Sequence, residues 1–83
     1  MTEDEIRTVV LNALSNIAPE ADLSSLDPRA ELRALVDLDS MDFLNFVVAL
    51  HETTGIEIPE SDYAKLSSLA DCIRYLSARA PNA

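Results

Sequence analysis

One cysteine and one histidine are all that this chain has to staple itself with, and nothing else constrains it more. A lone cysteine forms no internal disulfide, and the pair is too few for a structural zinc site. Eighty-three residues make one small domain with no room for a second core. Small domains without staples depend on very regular helix packing. Stability must come from apolar burial, and 48% hydrophobic residues with a single glycine supply the material. One domain over 1–83 is expected, with 80–83 a frayed tail.

The punctuation reads as helices. Thr2 and Glu5 have the spacing of a capping box, so a helix should begin near Glu3 and stop at Pro19. Ile6, Val9, Val10, Ala13, Leu14 and Ile17 recur along it at helical steps. Residues 18–39 form a long connection, of a length that is usually functional, with Leu23, Leu26, Leu32 and Leu35 spaced to pin it onto a core. Asp27-Pro28 has the form of an N-cap and first helical residue, which predicts a short helical turn near 28–34. A second main helix runs from Ser40 or Met41 to Thr54 and stops at Gly55. An extended piece over 56–59 follows, then a helical turn over 60–66 with Tyr63 and Leu66 inward. Ser68 and Asp71 again have capping-box spacing and open a last helix, with Leu69, Cys72, Ile73, Leu76 and Ala80 on its apolar face and Pro81 as its stop. The fold class is all-α: a small bundle of three main helices plus one or two short helical turns. Ile6, Val10, Leu14, Phe46, Val47, Leu50, Ile73 and Leu76 should form its core.

The helix over 40–54 carries more apolar residues than one stripe needs. Phe43, Phe46, Val47, Leu50 and Thr54 make the expected core face. Met41, Leu44 and Val48 make a second, offset row. Either the helix is packed on most sides, or the second row is exposed and docks partners or cargo. That row begins beside Ser40. A serine after aspartate at a helix start is, in isolation, a cap. Its position also permits phosphate chemistry, because backbone N–H groups and the helix dipole there favour an attached phosphodiester.

Fifteen acidic residues against six basic ones give a formal charge of −9. Such a field repels nucleic acid and anionic membranes and attracts basic protein surfaces. No lysine or arginine lies between Arg33 and Lys65, where Asp37, Asp39, Asp42, Glu52, Glu57, Glu60 and Asp62 all fall. Charge alone reads as a solvated acidic surface. The start, residues 1–5, is acidic and unlike a signal peptide, and the longest apolar run, 46–50, is far too short to cross a bilayer. A cytoplasmic location is the expectation. Asp37-x-Asp39 fails as a calcium loop, since Asp42 and Val48 stand where glycine and glutamate belong, and no metal site is expected. His51 reads as a surface residue and Cys72 as a buried inert thiol. A hydrolase built on Ser40 would lack a base and an oxyanion site, and one glycine rules out a glycine-rich phosphate loop.

Asp39-Ser40-Met41 followed by an apolar helix resembles the Asp-Ser-Leu attachment motif of acyl and peptidyl carrier proteins. The likeness extends over the capped first helix, the long loop, the segment 55–59 and the last helix from Ser68 to Leu76. It implies a freestanding carrier that is not an enzyme, with 4′-phosphopantetheine attached covalently to Ser40 by a separate holo-synthase (a phosphopantetheinyl transferase). Asp39 would help engage that synthase and its magnesium ion, with Asp42 beside it on the partner surface. Met41, Leu44 and Val48 match the partner-facing positions. The implied partners are the holo-synthase, an acyl- or aminoacyl-loading ligase and downstream synthases or transferases, met by a monomer that binds neither nucleic acid nor membrane. Asp37 stands where the family often has glycine, Met41 where leucine follows the serine, and Asn45 and His51 where glutamates are frequent. This less acidic helix points to a specialised pathway, making a secondary metabolite, a modified lipid or an aminoacyl product. The competing reading is an unmodified acidic helical adaptor for a basic or helical partner, and only the carrier requires Ser40.

Overall fold

The computed structural model describes residues 2–24, 26–36 and 38–79. Helix α1 spans Glu3–Ile17 and opens on the predicted box, with Glu5 N–H donating to the Thr2 hydroxyl and Thr2 N–H to the Glu5 carboxylate. A one-turn helix, α2 (Leu32–Leu35), precedes α3 (Ser40–Thr54); a 3-10 helix (Glu60–Leu66) then leads to α4 (Leu69–Arg79). Among the described residues there is no strand, only an isolated bridge between Glu31 and Ser68. The all-α architecture of three main helices and two short ones is the one the punctuation predicts. No described helix is long and apolar enough to cross a membrane.

Helices α3 and α4 both pack on α1, and the 3-10 helix packs on α4. Ile6, Val10 and Leu14 meet Phe46, Val47, Leu50, Leu69, Cys72 and Leu76 in one cluster, nearly all fully buried. Each large side chain buried this way contributes about 1.5–3 kcal/mol. Ile73, expected inside, is half-buried and packs against the cluster, while Tyr75 is buried in its place. Tyr75 can be buried because its hydroxyl donates to Asp62 at 2.6 Å. Ala80 and Pro81, expected to end the apolar face and the helix, lie outside the described residues, as do Asp37 and the tail.

The connection differs from expectation in two ways. Asp27-Pro28 begins a turn rather than a helix: Asp27 accepts the Arg29 N–H on its carboxylate and the Ala30 N–H on its carbonyl. The helix starts only after Glu31, where Leu32 N–H donates to the Ser67 carbonyl at 2.7 Å. Leu32 is then fully buried, and Val36, four residues on, shares its face, followed inward by Leu38. Leu35 was expected to pin the loop, but it falls off that face and is 45% exposed.

Helix α3 ends as predicted. Gly55 adopts φ +73°, the left-handed conformation that glycine enters without a side-chain penalty, and its N–H returns to the His51 carbonyl. His51 is a surface residue whose Nδ1 lies 2.8 Å from the Ile56 carbonyl. The last box is half formed: Asp71 N–H donates to the Ser68 hydroxyl, while the Asp71 carboxylate accepts from the Ser67 hydroxyl.

Candidate functional site: the start of helix α3

The residue that caps α3 is Asp39, not Ser40. Its carboxylate accepts the Asp42 N–H at 2.8 Å, and the Asp42 carboxylate lies 3.4 Å from the Asp39 N–H, closing a reciprocal box. Ser40 is therefore the first helical residue, where a side chain is not needed to satisfy the backbone. Its side chain is exposed, and among the described residues its hydroxyl has no hydrogen-bond partner. Reading Ser40 as a plain cap is overturned by one position of helix phase.

Beside Ser40 opens a cleft of about 520 Å³, lined by Ser40, Phe43 and Leu44 from α3, Glu31 and Arg33 from the α2 region, and Tyr63 of the 3-10 helix among others. Phe43 forms its inner wall, in ring contact with Phe46 and edge-on to Tyr63. Outside the cleft lining, Asp62 ties the 3-10 helix that carries Tyr63 to α4: it takes the Tyr75 hydroxyl and lies 3.4 Å from Lys65 and 3.6 Å from Arg79. The Tyr75 hydrogen bond, chiefly, holds the Asp62 carboxyl below its ordinary range, with help from the two cations. Sequence reading missed this anchor, although Tyr75 thirteen residues after Asp62 gave no local signal of it.

Met41 is 64% exposed, Leu44 40% and Val48 42%. The second apolar row thus lies on the surface, running down α3 from Ser40. Asp42 is half-buried, with part of its carboxylate engaged in the cap. Cys72 is buried, its thiol pushed up to about 12 by burial first and by the Asp71 charge second. It takes no part in this site. Among the described residues no cluster could hold a metal ion.

The profile of the phosphopantetheine attachment site family matches residues 8–76. The chain belongs to that family. It is 39% identical over 75 residues to an acyl carrier protein of Campylobacter hominis, covering 88% of this chain and 86% of that one. With an acyl carrier protein of Lactobacillus johnsonii it shares 30% identity over 78 residues, 94% of this chain and 96% of that one. A solution structure described as an acyl carrier protein from Anaplasma phagocytophilum superposes with a TM-score of 0.81 at 26% identity, over 94% of this chain and 91% of that one. The cofactor of such a chain is a covalently held 4′-phosphopantetheine. The start of α3 suits the group: an exposed hydroxyl with no partner among the described residues stands on a helix and lines a cleft, inside the matched region.

Proposed function

We propose that this protein carries acyl or aminoacyl groups as thioesters, on a phosphopantetheine arm joined to Ser40 Oγ. The observation that carries the assignment is the division of labour at the start of α3. Asp39 and Asp42 satisfy the helix end between them, which leaves the Ser40 hydroxyl exposed and free to react. The bound group supplies the thiol on which cargo is held. The chain's own residues position that attachment point and present a docking row. Ser40 needs no internal base, because the holo-synthase would take its proton as Oγ bonds the phosphorus that bears pantetheine, the pyrophosphate P–O bond breaking and the adenosine-bearing phosphate half of coenzyme A leaving. Asp39 keeps one carboxylate oxygen in the cap and offers the other to the synthase and its magnesium ion. Met41, Leu44 and Val48 then receive the holo-synthase, the loading ligase and the downstream synthases or transferases. Exposed apolar side chains of this size are the usual anchors of such contacts. The pathway we favour is a specialised one in the cytoplasm, since Asn45 and His51 leave α3 with few acidic contacts for basic partners. The test is intact-mass measurement after incubation with coenzyme A and a broad-specificity holo-synthase. The protein should gain one arm, and the Ser40→Ala variant none. No gain in the parent protein would return the adaptor reading, with the exposed row as its binding face.

A further inference from the structure

We infer that Arg33 is a positioning residue for the arm, holding its phosphodiester at the mouth of the cleft beside Ser40. The inference rests on the carrier reading above.

Arg33 and Ser40 line the same cleft from opposite elements, the short helix α2 and the start of α3. Next, Arg33 is the one lysine or arginine lining the cleft, which Glu31 and Glu60 also line. Finally, the guanidinium is placed but not neutralised. Its carbon sits 5.7 Å from the centre of the Phe43 ring, and among the described residues it has no carboxylate partner in ion-pair reach. Arg7 and Arg29 also make no ion pair among the described residues, but only Arg33 shares the cleft with Ser40.

The physical consequence is specific to an anionic substituent on Ser40. A phosphodiester introduced there meets Glu31 and Glu60, which repel it, and Arg33, which attracts it. Arginine presents a planar fork of donors suited to phosphate oxygens, and stacking on Phe43 restricts where that fork points. The balance keeps the phosphate at the Arg33 side of the mouth and away from the glutamates. The remainder of the arm is then aimed along Phe43 and Leu44 rather than outward. Arg33 and Ser40 are both exposed, so the contact is salt-sensitive: the screening length falls from about 30 Å at 0.01 M to about 3 Å at 1 M.

The experiment uses the whole protein, converted with coenzyme A and a broad-specificity holo-synthase, as parent, Arg33→Gln and Arg33→Lys. Intact mass is read first, and circular dichroism confirms that each variant is folded. Phosphorus NMR of the single phosphodiester and the Arg33 Nε–Hε proton signal are then recorded at low and high salt. In the parent, the Nε–Hε signal should move between the unmodified and the modified form and move back as salt is raised. The phosphorus resonance should shift on going to Arg33→Gln and be partly restored in Arg33→Lys, which keeps the charge but not the fork. A purely structural role for Arg33 would not give this rescue or this salt response. Identical phosphorus resonances in the parent and Arg33→Gln, both carrying the arm, would overturn the inference while leaving the carrier function standing. A folded Arg33→Gln that fails to gain the arm also overturns it, moving Arg33 to the synthase contact. Failure of the parent itself to gain mass strikes the carrier reading instead.

Discussion

Leu44 and Phe46 stand two residues apart on one helix and face opposite environments. Phe46 is fully buried under α1, with Phe43, Val47 and Leu50 beside it; Leu44 is 40% exposed, in line with Met41 and Val48. Both rows are apolar, and both repeat at helical spacing. Hydrophobicity therefore distinguishes neither. What separates them is whether another element of the chain lies across the row. The buried row accounts for why α3 stays where it is. The outer row contributes nothing comparable to the fold, so its apolar character is explained by what meets it from outside.

The widest separation between the rows should come from truncation at the centre of the buried one. Phe46→Ala should cost ~3–5 kcal/mol, out of the roughly 4–12 kcal/mol that holds a domain of this size. Urea titration followed by circular dichroism measures it. A cost within about 0.5 kcal/mol, the range of surface changes, would mean that the helix is phased wrongly and the two rows are exchanged.

Cys72 reports on the same buried side through pH. Its thiol is raised from 9.0 to about 12, so in that window the folded protein keeps a proton that the unfolded chain has released. Proton linkage then makes this component of stability complete below about pH 9 and progressively lost as pH rises toward about 12. Denaturation midpoints should fall over that window, and fall less steeply in Cys72→Ala. Thiol labelling sharpens the comparison. At neutral pH Cys72 should react only when the protein opens, whereas a cysteine at position 48 in the Cys72→Ala background should react in the folded state. Equal labelling rates would erase the distinction between the rows.

Leu44→Asp should move stability by no more than about 0.5 kcal/mol, which is a shift of roughly 2–4 °C in Tm for a domain of this size. The same change should slow arm addition or loading, because it buries a charge at the contact. A large fall in Tm before any partner is added would put Leu44 in the core and remove the docking claim.

Much of this was legible in the sequence because it is written locally. Thr2 with Glu5, Pro19, Gly55 and the three- and four-residue steps each act within a turn of helix, and they located the three main helices almost to the residue. What depended on distant contacts was not legible. Leu35 and Val36 are both apolar neighbours, and only the anchoring of Leu32 to Ser67 decides that Val36 turns inward. Tyr75 is buried because Asp62, on another element, accepts its hydroxyl. At the site the serine was visible, but its freedom was not. Whether Asp39 or Ser40 caps α3 turns on one residue of phase, and only the Asp39–Asp42 box settles it.

The smallest effect on stability should come from Ser40 itself, and it is the most informative one. Asp39→Ala removes a working cap and should cost ~1 kcal/mol. Ser40→Ala removes a hydroxyl with no partner among the described residues and places alanine, the best helix former, at the first helical position. Its midpoint should therefore match the parent's or lie slightly above it. The two neighbouring substitutions then part in stability and part again in chemistry. Asp39→Ala keeps the hydroxyl and should still gain the arm, more slowly, whereas Ser40→Ala should gain nothing at all. Paired melts and intact-mass spectra on both variants read the two quantities on the same samples. If Ser40→Ala proves as destabilising as Asp39→Ala, the hydroxyl is serving the helix, and the separation of cap from attachment point is wrong. If it is neutral yet still takes up the arm, another side chain carries the group. Loss of the arm without loss of stability is the combination that a hydroxyl kept free for modification requires.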